Sequence, residues 1–456
     1  MGDALIVRRG GSGSSSRGNL KTVLITSDQE WIVPKAKDQM FMVRIFGGGQ
    51  AGDTMRETSV KSASYKRCAS GGCGGMMNNA ILILDEGNKI PITIGNGGER
   101  LNVANIQNDS RYNYIGNVNS GKTTFFGKYL SAYGGGQVGI GIGGSGGGSV
   151  ESFGSVPYGI GTQFGGGGMI CVDYRNSIDH GPNIKDYNNI KLPHGSGGKW
   201  GGGGGKVCNN TLSSSSEVSV PLGGLEFDES DIINDSSGSS FNVIGVNGYG
   251  GNGGKAHSTT STAYTNGNAG TNTFGLEAIF DINAFTGYGR NGSTINYNNS
   301  YSAPNNSGSC RAYPGGGGGY GGNGGNACGG GGGYGGNGGN NIGGGGGYGA
   351  DGGEGSFNMI GTNRGYYIRI FGGGGGGGYG KSGKGGNAEK CAMEANTSSS
   401  GNYNEYLSKY TKVVSNAEDG GYAAGGGSFG WRNNTVGDMH STSGGNGICI
   451  ITYYEE

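Results

Sequence analysis

The sequence predicts an all-β protein: an antiparallel, jelly-roll-like sandwich built from both chain ends, with a large inserted bundle of polyglycine-II helices. Short β-branched or aromatic segments cluster near both termini, amphipathic helical patterns are lacking, and 113 of the 456 residues are glycine. Such segments separated by turn residues are typical of sandwiches. We expect the sandwich at 21–132 and 366–456, the glycine-rich insert with exposed loops at 133–365, and an N-terminal attachment strand with a Gly/Ser linker at 1–20.

Strand patterns lie at both ends of the chain. They are TVLITS (22–27), EWIVP (30–34), MFMVRIF (40–46), AILIL (80–84), IPITIG (90–95), TTFFG (123–127), YYIRIF (366–371) and GICIITYY (447–454). The third has the two-residue period of a strand, with Phe41, Val43 and Ile45 on one side and Met42, Arg44 and Phe46 on the other. We expect the first and last segments to complete one sheet, with the insert projecting from an edge.

The insert keeps a three-residue period where it has almost no apolar side chains. Tyr320, Tyr334 and Tyr348 are fourteen residues apart, and each begins a repeat such as YGGNGGN. A polyproline-II-type helix has three residues per turn and no internal hydrogen bonds, so its backbone groups need partners outside the helix. Glycine on two faces lets such helices bond to one another, with the remaining side chains toward solvent or a sheet. Collagen shares the period but needs abundant proline, and this chain has 8.

Charge and hydropathy argue against several classes of protein. The chain has 32 basic and 32 acidic residues, so the basic face of a nucleic-acid binder is not expected. No stretch approaches the roughly 18 apolar residues of a membrane span, and the first apolar run is too short for a secretory signal. We therefore expect no nucleic-acid partner and no membrane insertion.

The cysteines do not follow a metal-binding pattern. Eight are scattered along the chain without a C-x-x-C pair, and there are four histidines. Zinc sites in proteins need closely spaced ligands of these two types. We expect most of the thiols to be unpaired, as in a reducing cytosol.

One motif suggests nucleotide binding but lies in the wrong context. GNVNSGKT at 116–123 fits the phosphate-loop pattern. In a phosphate loop a helix follows, so that its N-terminus faces the phosphates. Here the strand-like TFFG follows, so we expect no nucleotide, no other cofactor and no enzymatic activity.

Four segments, in this order, resemble a known family. They are EWIVPKAKDQMFMVRIFGGGQAG (30–52), SGGCGGMMNNAILILDEGNKIPITIGNGGE (70–99), SGKTTFFG (120–127) and GGNGICIITYY (444–454). Together they resemble the glycine-rich domain of phage tail-fibre and receptor-binding proteins. The glycine-rich, tumour-necrosis-factor-like extracellular region of anaplastic lymphoma kinase receptors is similar too. A receptor is not expected, because no kinase domain, signal or membrane-spanning segment is recognised.

The resemblance implies a receptor-binding protein in a virion or phage-tail-like particle, made in the cytoplasm of a bacterial host. It also implies a homotrimer, attached to other tail or baseplate proteins through its N-terminus. Its ligand would be a bacterial surface polysaccharide or protein, bound by loops of the insert. Tyr, Asn and Ser in such loops are typical of binding surfaces, and the candidate receptor-binding residues are Trp200, Tyr264, Tyr297 and Tyr301.

Two alternatives of other classes stay open. A structural glycine-rich protein of a cell wall or coat would need no specific ligand. A surface glycan hydrolase would need two carboxylates at a working separation. The acidic run of the insert, including Glu226 and Asp231, is more typical of a solvated loop.

Overall fold

We analysed a computed structural model of the chain. It describes residues 18–52, 72, 74–100, 120–135, 197, 322–325, 330–331, 333–340, 343–353, 375–379, 419–427 and 443–456, together with the backbone of strands elsewhere. The described part is rich in strands and contains no α-helix; its one helical turn is the 3-10 helix Lys37–Gln39. This confirms the all-β class.

Two antiparallel sheets form the body of the described structure. Sheet I has the spatial order β1 (Leu5–Arg8), β2 (Asn19–Ile25), β23 (Ile448–Glu455), β4 (Met40–Phe46), β7 (Met77–Ile83). Sheet II has the order β10 (Leu130–Ala132), β9 (Thr124–Phe126), β8 (Lys89–Thr93), β3 (Gln29–Ile32). The C-terminal strand β23 therefore lies between β2 and β4, which confirms that both chain ends complete one sheet.

A hydrophobic core fills the space between the two sheets. Phe41 of sheet I packs edge-on against Trp31 of sheet II, with ring centroids 5.5 Å apart. Phe126, also from sheet II, lies 5.9 Å from the same tryptophan. Val43 and Ile45 belong to this cluster and are fully buried. The predicted alternation of β4 is confirmed, because its odd-numbered residues point into this core.

Among the strands that the structure describes, fourteen of two to four residues lie outside the two sheets. They are β5 (Thr54–Glu57), β6 (Arg67–Ala69), β11 (Val150–Glu151), β12 (Ile170–Val172), β13 (Lys206–Cys208), β14 (Glu226–Phe227), β15 (Val243–Gly245), β16 (Lys255–His257), β17 (Tyr264–Thr265), β18 (Ile295–Asn296), β19 (Ala312–Tyr313), β20 (Ser356–Phe357), β21 (Ile370–Gly372) and β22 (Phe429–Arg432). They pair in the orders β11-β12-β13-β16-β17, β14-β15, β18-β19, β20-β21-β6 and β22-β5. Short strands within the insert were not predicted.

Three further details differ from the sequence-based expectations. The segment YYIRIF was expected in the sandwich, but β21 pairs with β20 and β6 instead. The strand β10 was missed, because its three residues show no clear alternation. The N-terminal strand was expected to dock on another body, yet β1 pairs with β2 of the same chain, with Leu5 opposite Leu24.

Candidate functional site

The face of sheet I that points away from the core is covered by the glycine-rich repeats. Tyr334 and Tyr348 cluster there with Phe46, Ile448 and Ile450 of the sheet. The two tyrosines are 1% and 5% exposed. The central strands β4 and β23 of sheet I are therefore buried on both faces, which explains why they read as nearly continuous apolar runs.

Three tyrosines stack on one another against this face. The rings of Tyr334 and Tyr348 are nearly parallel, at 11°, with centroids 5.0 Å apart. Tyr379 continues the stack 6.5 Å from Tyr348, and Phe46 approaches Tyr348 edge-on at 5.7 Å. The first two tyrosines occupy the same position in successive repeats, so the fourteen-residue period places ring upon ring.

A buried arginine connects the sheet to the tyrosine stack. Arg44 lies on the outer face of β4 and is 7% exposed. Its guanidinium donates to the hydroxyls of Tyr348 (3.3 Å) and Thr452 (3.1 Å), and its Cζ lies 5.9 Å from the centroid of the Tyr348 ring. The alternation of β4 placed Arg44 on this side in the sequence, although it did not reveal that the side is covered.

Successive repeats bond to each other through their backbones at every third residue. The amides of Gly346, Gly349 and Gly352 donate to the carbonyls of residues 331, 334 and 337, at 2.7–2.8 Å. Gly338 donates in the same way to residue 323, one repeat earlier. The three-residue phase of the sequence is therefore the phase of the interstrand hydrogen bonds.

A second ladder, of polar side chains, runs along the exposed side of the repeats. The amide of Asn323 donates to Oδ1 of Asn337 at 2.9 Å. The amide of Asn337 donates to Oδ1 of Asp351 at 2.7 Å, and its side-chain nitrogen donates to the same oxygen at 2.9 Å. These hydrogen bonds join equivalent residues of consecutive repeats. They hold the repeats in the same register as the tyrosine stack does on the buried side.

The glycine runs that leave the sandwich strands join the same network. Gly49, just after β4, donates to the carbonyl of Gly445 at 2.7 Å, and Gly426 donates to Gln50 at 2.9 Å. The repeats connect to these runs through residues 375–378, where Gly376 donates to Gly72 at 2.9 Å. We call the whole network the glycine lattice. It comprises the described residues within the ranges 47–52, 72–76, 95–98, 120–123, 133–135, 322–353, 375–379 and 419–447.

The long segment 136–321 begins and ends in the glycine lattice. Gly135, just before it, donates to the carbonyl of Gly48 at 2.8 Å. Just after it, the carbonyl of Asn323 accepts from the amide of Gly338 in the next repeat, at 2.8 Å. Both ends of segment 136–321 are therefore held by backbone bonds.

The four candidate receptor-binding residues lie in that segment. Trp200, Tyr297 and Tyr301 are outside the described residues. Tyr264 belongs to β17, where its backbone is paired with Ala256 of β16. Its side chain is not among those that the structure describes. Their role therefore stays a prediction.

The phosphate-loop pattern at 116–123 leads into a strand, as expected, because β9 begins directly after it. The amide of Gly121 donates to the carbonyl of Gly135 at 3.0 Å, and that of Lys122 donates to Asn96 at 2.8 Å. A phosphate loop uses such amides to hold phosphate oxygens. Here these two are already bonded within the protein.

The described cysteine, Cys449, is a free thiol in the core of sheet I. Burial raises the pKa of the Cys449 thiol, and the nearby charge of Arg44 lowers it by a smaller amount. Burial also raises the pKa of Tyr453, and the charge of Glu455 raises it further. The thiolate is the reactive form of cysteine, so Cys449 is chemically inert in the native protein.

We expect the native protein to lose stability at alkaline pH partly through Cys449. An unfolded thiol ionises near pH 8.5, so above that pH the unfolded chain releases a proton that the native chain keeps. The stability present below that pH then falls by up to about 1.4 kcal/mol per pH unit. Melting temperatures from pH 7 to 10.5 should decline less steeply for Cys449→Ala than for the unchanged chain. Parallel declines would contradict this.

Two features are absent from the part of the chain that the structure describes. No group of three or more His, Cys, Asp or Glu side chains is arranged to hold a metal ion there. No helix in that part of the chain is long and apolar enough to cross a membrane.

Comparison with known proteins adds no relative: no family model, no curated protein and no solved structure matches this chain.

Proposed function

We propose that this chain is a receptor-binding protein of a phage or phage-tail-like particle, at a tail fibre or tail tip. It recognises a bacterial surface structure, a glycan, through loops of the insert carried on a scaffold of polyglycine-II helices. The observation that carries the proposal is the anchoring of both ends of segment 136–321 in the glycine lattice. The order of motifs resembling the phage family supports it as analogy.

The polyglycine-II assignment rests on the spacing of the lattice bonds. A helix with three residues per turn presents one backbone amide in three to a given neighbour. The donors Gly346, Gly349 and Gly352 have that spacing, and so do their acceptors. For the sandwich we propose a jelly-roll arrangement, to which sheets I and II contribute five and four strands.

Such a scaffold suits surface recognition for a physical reason. The register of the repeats is set by backbone bonds and by the tyrosine stack, and neither depends on the sequence of the loops. Loops on a rigid support tolerate change and commonly carry binding residues. A non-enzymatic binding protein can therefore alter its loops without altering its core.

Cell binding tests the proposal. Purified full-length protein should bind saturably to cells of a susceptible host, and binding should fall when the surface polysaccharide is removed genetically or enzymatically. Undiminished binding to stripped cells would contradict a glycan receptor. Failure to bind any host would favour a structural coat protein, and release of soluble sugar from the cells would favour a hydrolase.

Aromatic variants of the insert locate the binding residues. Trp200→Ala and Tyr301→Ala should each weaken cell binding by about tenfold, because buried aromatic side chains dominate binding energies. Tyr129→Ala is the matched control, since this residue of the β9–β10 turn is 41% exposed and lies outside the insert. Equal loss in all three variants would contradict a role for the insert.

We also propose that the protein is a homotrimer attached to its particle through residues 1–20. Strand β1 lies at the edge of sheet I, and exposed edges in proteins are normally paired or covered. Three copies would also add avidity toward a repetitive surface. Light scattering should give a trimer for the full chain, and a chain lacking residues 1–17 should no longer join particles. A monomer in both cases would contradict the proposal.

A further inference from the structure

A polar cleft opens at the end of the sandwich from which the glycine runs begin. It is about 430 Å³ in volume, and its walls include Thr26, Asp28, Thr93, Asn96, Lys122 and Asn446. Thr93 ends β8, and the other residues follow β2 or β8 or precede β3, β9 or β23. Small-molecule sites typically measure about 300–1,000 Å³, so the cleft has the size of a binding site on a rigid frame.

Two of the side chains are held in place by the backbone opposite them. Oδ1 of Asp28 accepts a hydrogen bond from the amide of Ile94 at 2.7 Å. Oδ1 of Asn446 accepts one from the amide of Gly97 at 2.9 Å. One polar atom of each side chain is thus fixed. The second polar atom, Oδ2 of Asp28 and Nδ2 of Asn446, bonds to no other described residue. Such preorganisation lowers the entropy lost when a ligand binds.

The chemistry of the walls favours a ligand rich in hydroxyl groups. A carboxylate accepts, an ammonium donates, and amides do both, so neighbouring hydroxyls of a sugar ring match this set. An apolar ligand would find few partners, because Ile94 has the only wholly apolar side chain among the residues of the cleft. A phosphate group would meet the carboxylate of Asp28, and the amides of Gly121 and Lys122 already donate within the protein.

We propose that this cleft binds one hexose unit of a glycan. Oδ2 of Asp28 accepts from a ring hydroxyl, while Nζ of Lys122 and Nδ2 of Asn446 donate to others. Charge-assisted hydrogen bonds of this kind are stronger than neutral ones. The inference rests on the proposed function, for which it names a second contact site, on the sandwich rather than in the insert.

Calorimetric titration of the full-length protein with methyl α-glucoside, methyl α-galactoside, methyl α-mannoside and N-acetylglucosamine tests the proposal. At least one sugar should bind, and Asp28→Asn should weaken binding tenfold or more. That variant keeps the Oδ1 acceptor for Ile94, so its melting temperature should not change. Lys122→Met should weaken binding similarly, whereas Lys128→Met, a lysine of the β9–β10 turn outside the cleft, should have no effect.

The outcomes separate the cleft from the proposed function. If the protein binds host cells but none of these sugars, the cleft is not a sugar site, and the proposed function is left intact. If the protein binds a sugar through Asp28 and Lys122 but binds no cells, the cleft is a sugar site and the proposed function is contradicted. Binding of magnesium–ATP that is lost in Lys122→Met, with no sugar binding, would replace the proposal by an anion site.

Discussion

Replacing Gly336 with valine is expected to lower the free energy of unfolding by about 3 kcal/mol or more, the upper end of overpacking effects. A Cβ atom at Gly336 would overlap the carbonyl oxygen of Ala350, with that of Gly347 also close. The obstacle is backbone, which cannot change rotamer. The neighbouring repeat is itself held, because Gly349 donates to the carbonyl of Tyr334 at 2.7 Å.

The next residue supplies a matched control. Asn337 lies on the exposed, polar side of the repeats, and Asn337→Thr removes both the side-chain donor to Asp351 and the acceptor of the Asn323 amide. Loss of such bonds costs about 1 kcal/mol each at most on an exposed side. Urea unfolding followed by tyrosine fluorescence should therefore rank unchanged chain, Asn337→Thr and Gly336→Val in falling stability. Equal stability of the two variants would contradict a lattice of closely packed glycine backbones.

Removal of the central ring of the stack should have an effect of similar size. Tyr348→Ala should lower the free energy of unfolding by about 3–5 kcal/mol, as is usual for large aromatic-to-alanine changes in cores. The ring lies between Tyr334 and Tyr379, beside Phe46, and its hydroxyl accepts from Arg44. Its loss would remove packing from the lattice and from sheet I at once.

The conservative variant separates packing from hydrogen bonding. Tyr348→Phe keeps the ring and removes only the hydroxyl, so we expect a cost of about 1 kcal/mol. Hydrogen exchange should show where stability is lost: in Tyr348→Ala, the amides of the repeats should exchange faster than those of β3 and β8. Equally faster exchange in the repeats and in β3 and β8 of sheet II would contradict a tyrosine stack whose effect is local to the lattice and sheet I.

The sequence predicted the structure well where its side-chain pattern has the same period as the backbone contacts of that segment. The two-residue period of β4 predicted which side chains enter the core, and the three-residue period of the insert matches the spacing of the lattice bonds. Both patterns express backbone geometry, which is local. That both chain ends contribute to one sheet also followed from the sequence, because both termini had strong strand patterns, but the place of β23 between β2 and β4 did not.

Features that depend on distant partners were not predicted. Nothing local to Arg44 shows that residues some 300 positions later cover it. The strand β10 is set by its pairing with β9, with Leu130 opposite Phe126, rather than by its own three residues. The sugar cleft joins four chain segments, and Asp28 and Asn446 have no common motif. Sequence patterns carry information about such sites only when the ligands are closely spaced.

The central place of β23 in sheet I has a consequence for biosynthesis. Strands β2 and β4 leave the ribosome early, but their shared neighbour follows about 400 residues later, which at roughly 5–20 residues per second takes about 20–80 s. Throughout that time a gap with two open strand edges persists within the nascent chain. Translation that stops early yields a protein lacking the middle of its main sheet. Only copies translated as far as β23 can close that gap, so a premature product is exposed to proteolysis rather than assembled beside intact ones.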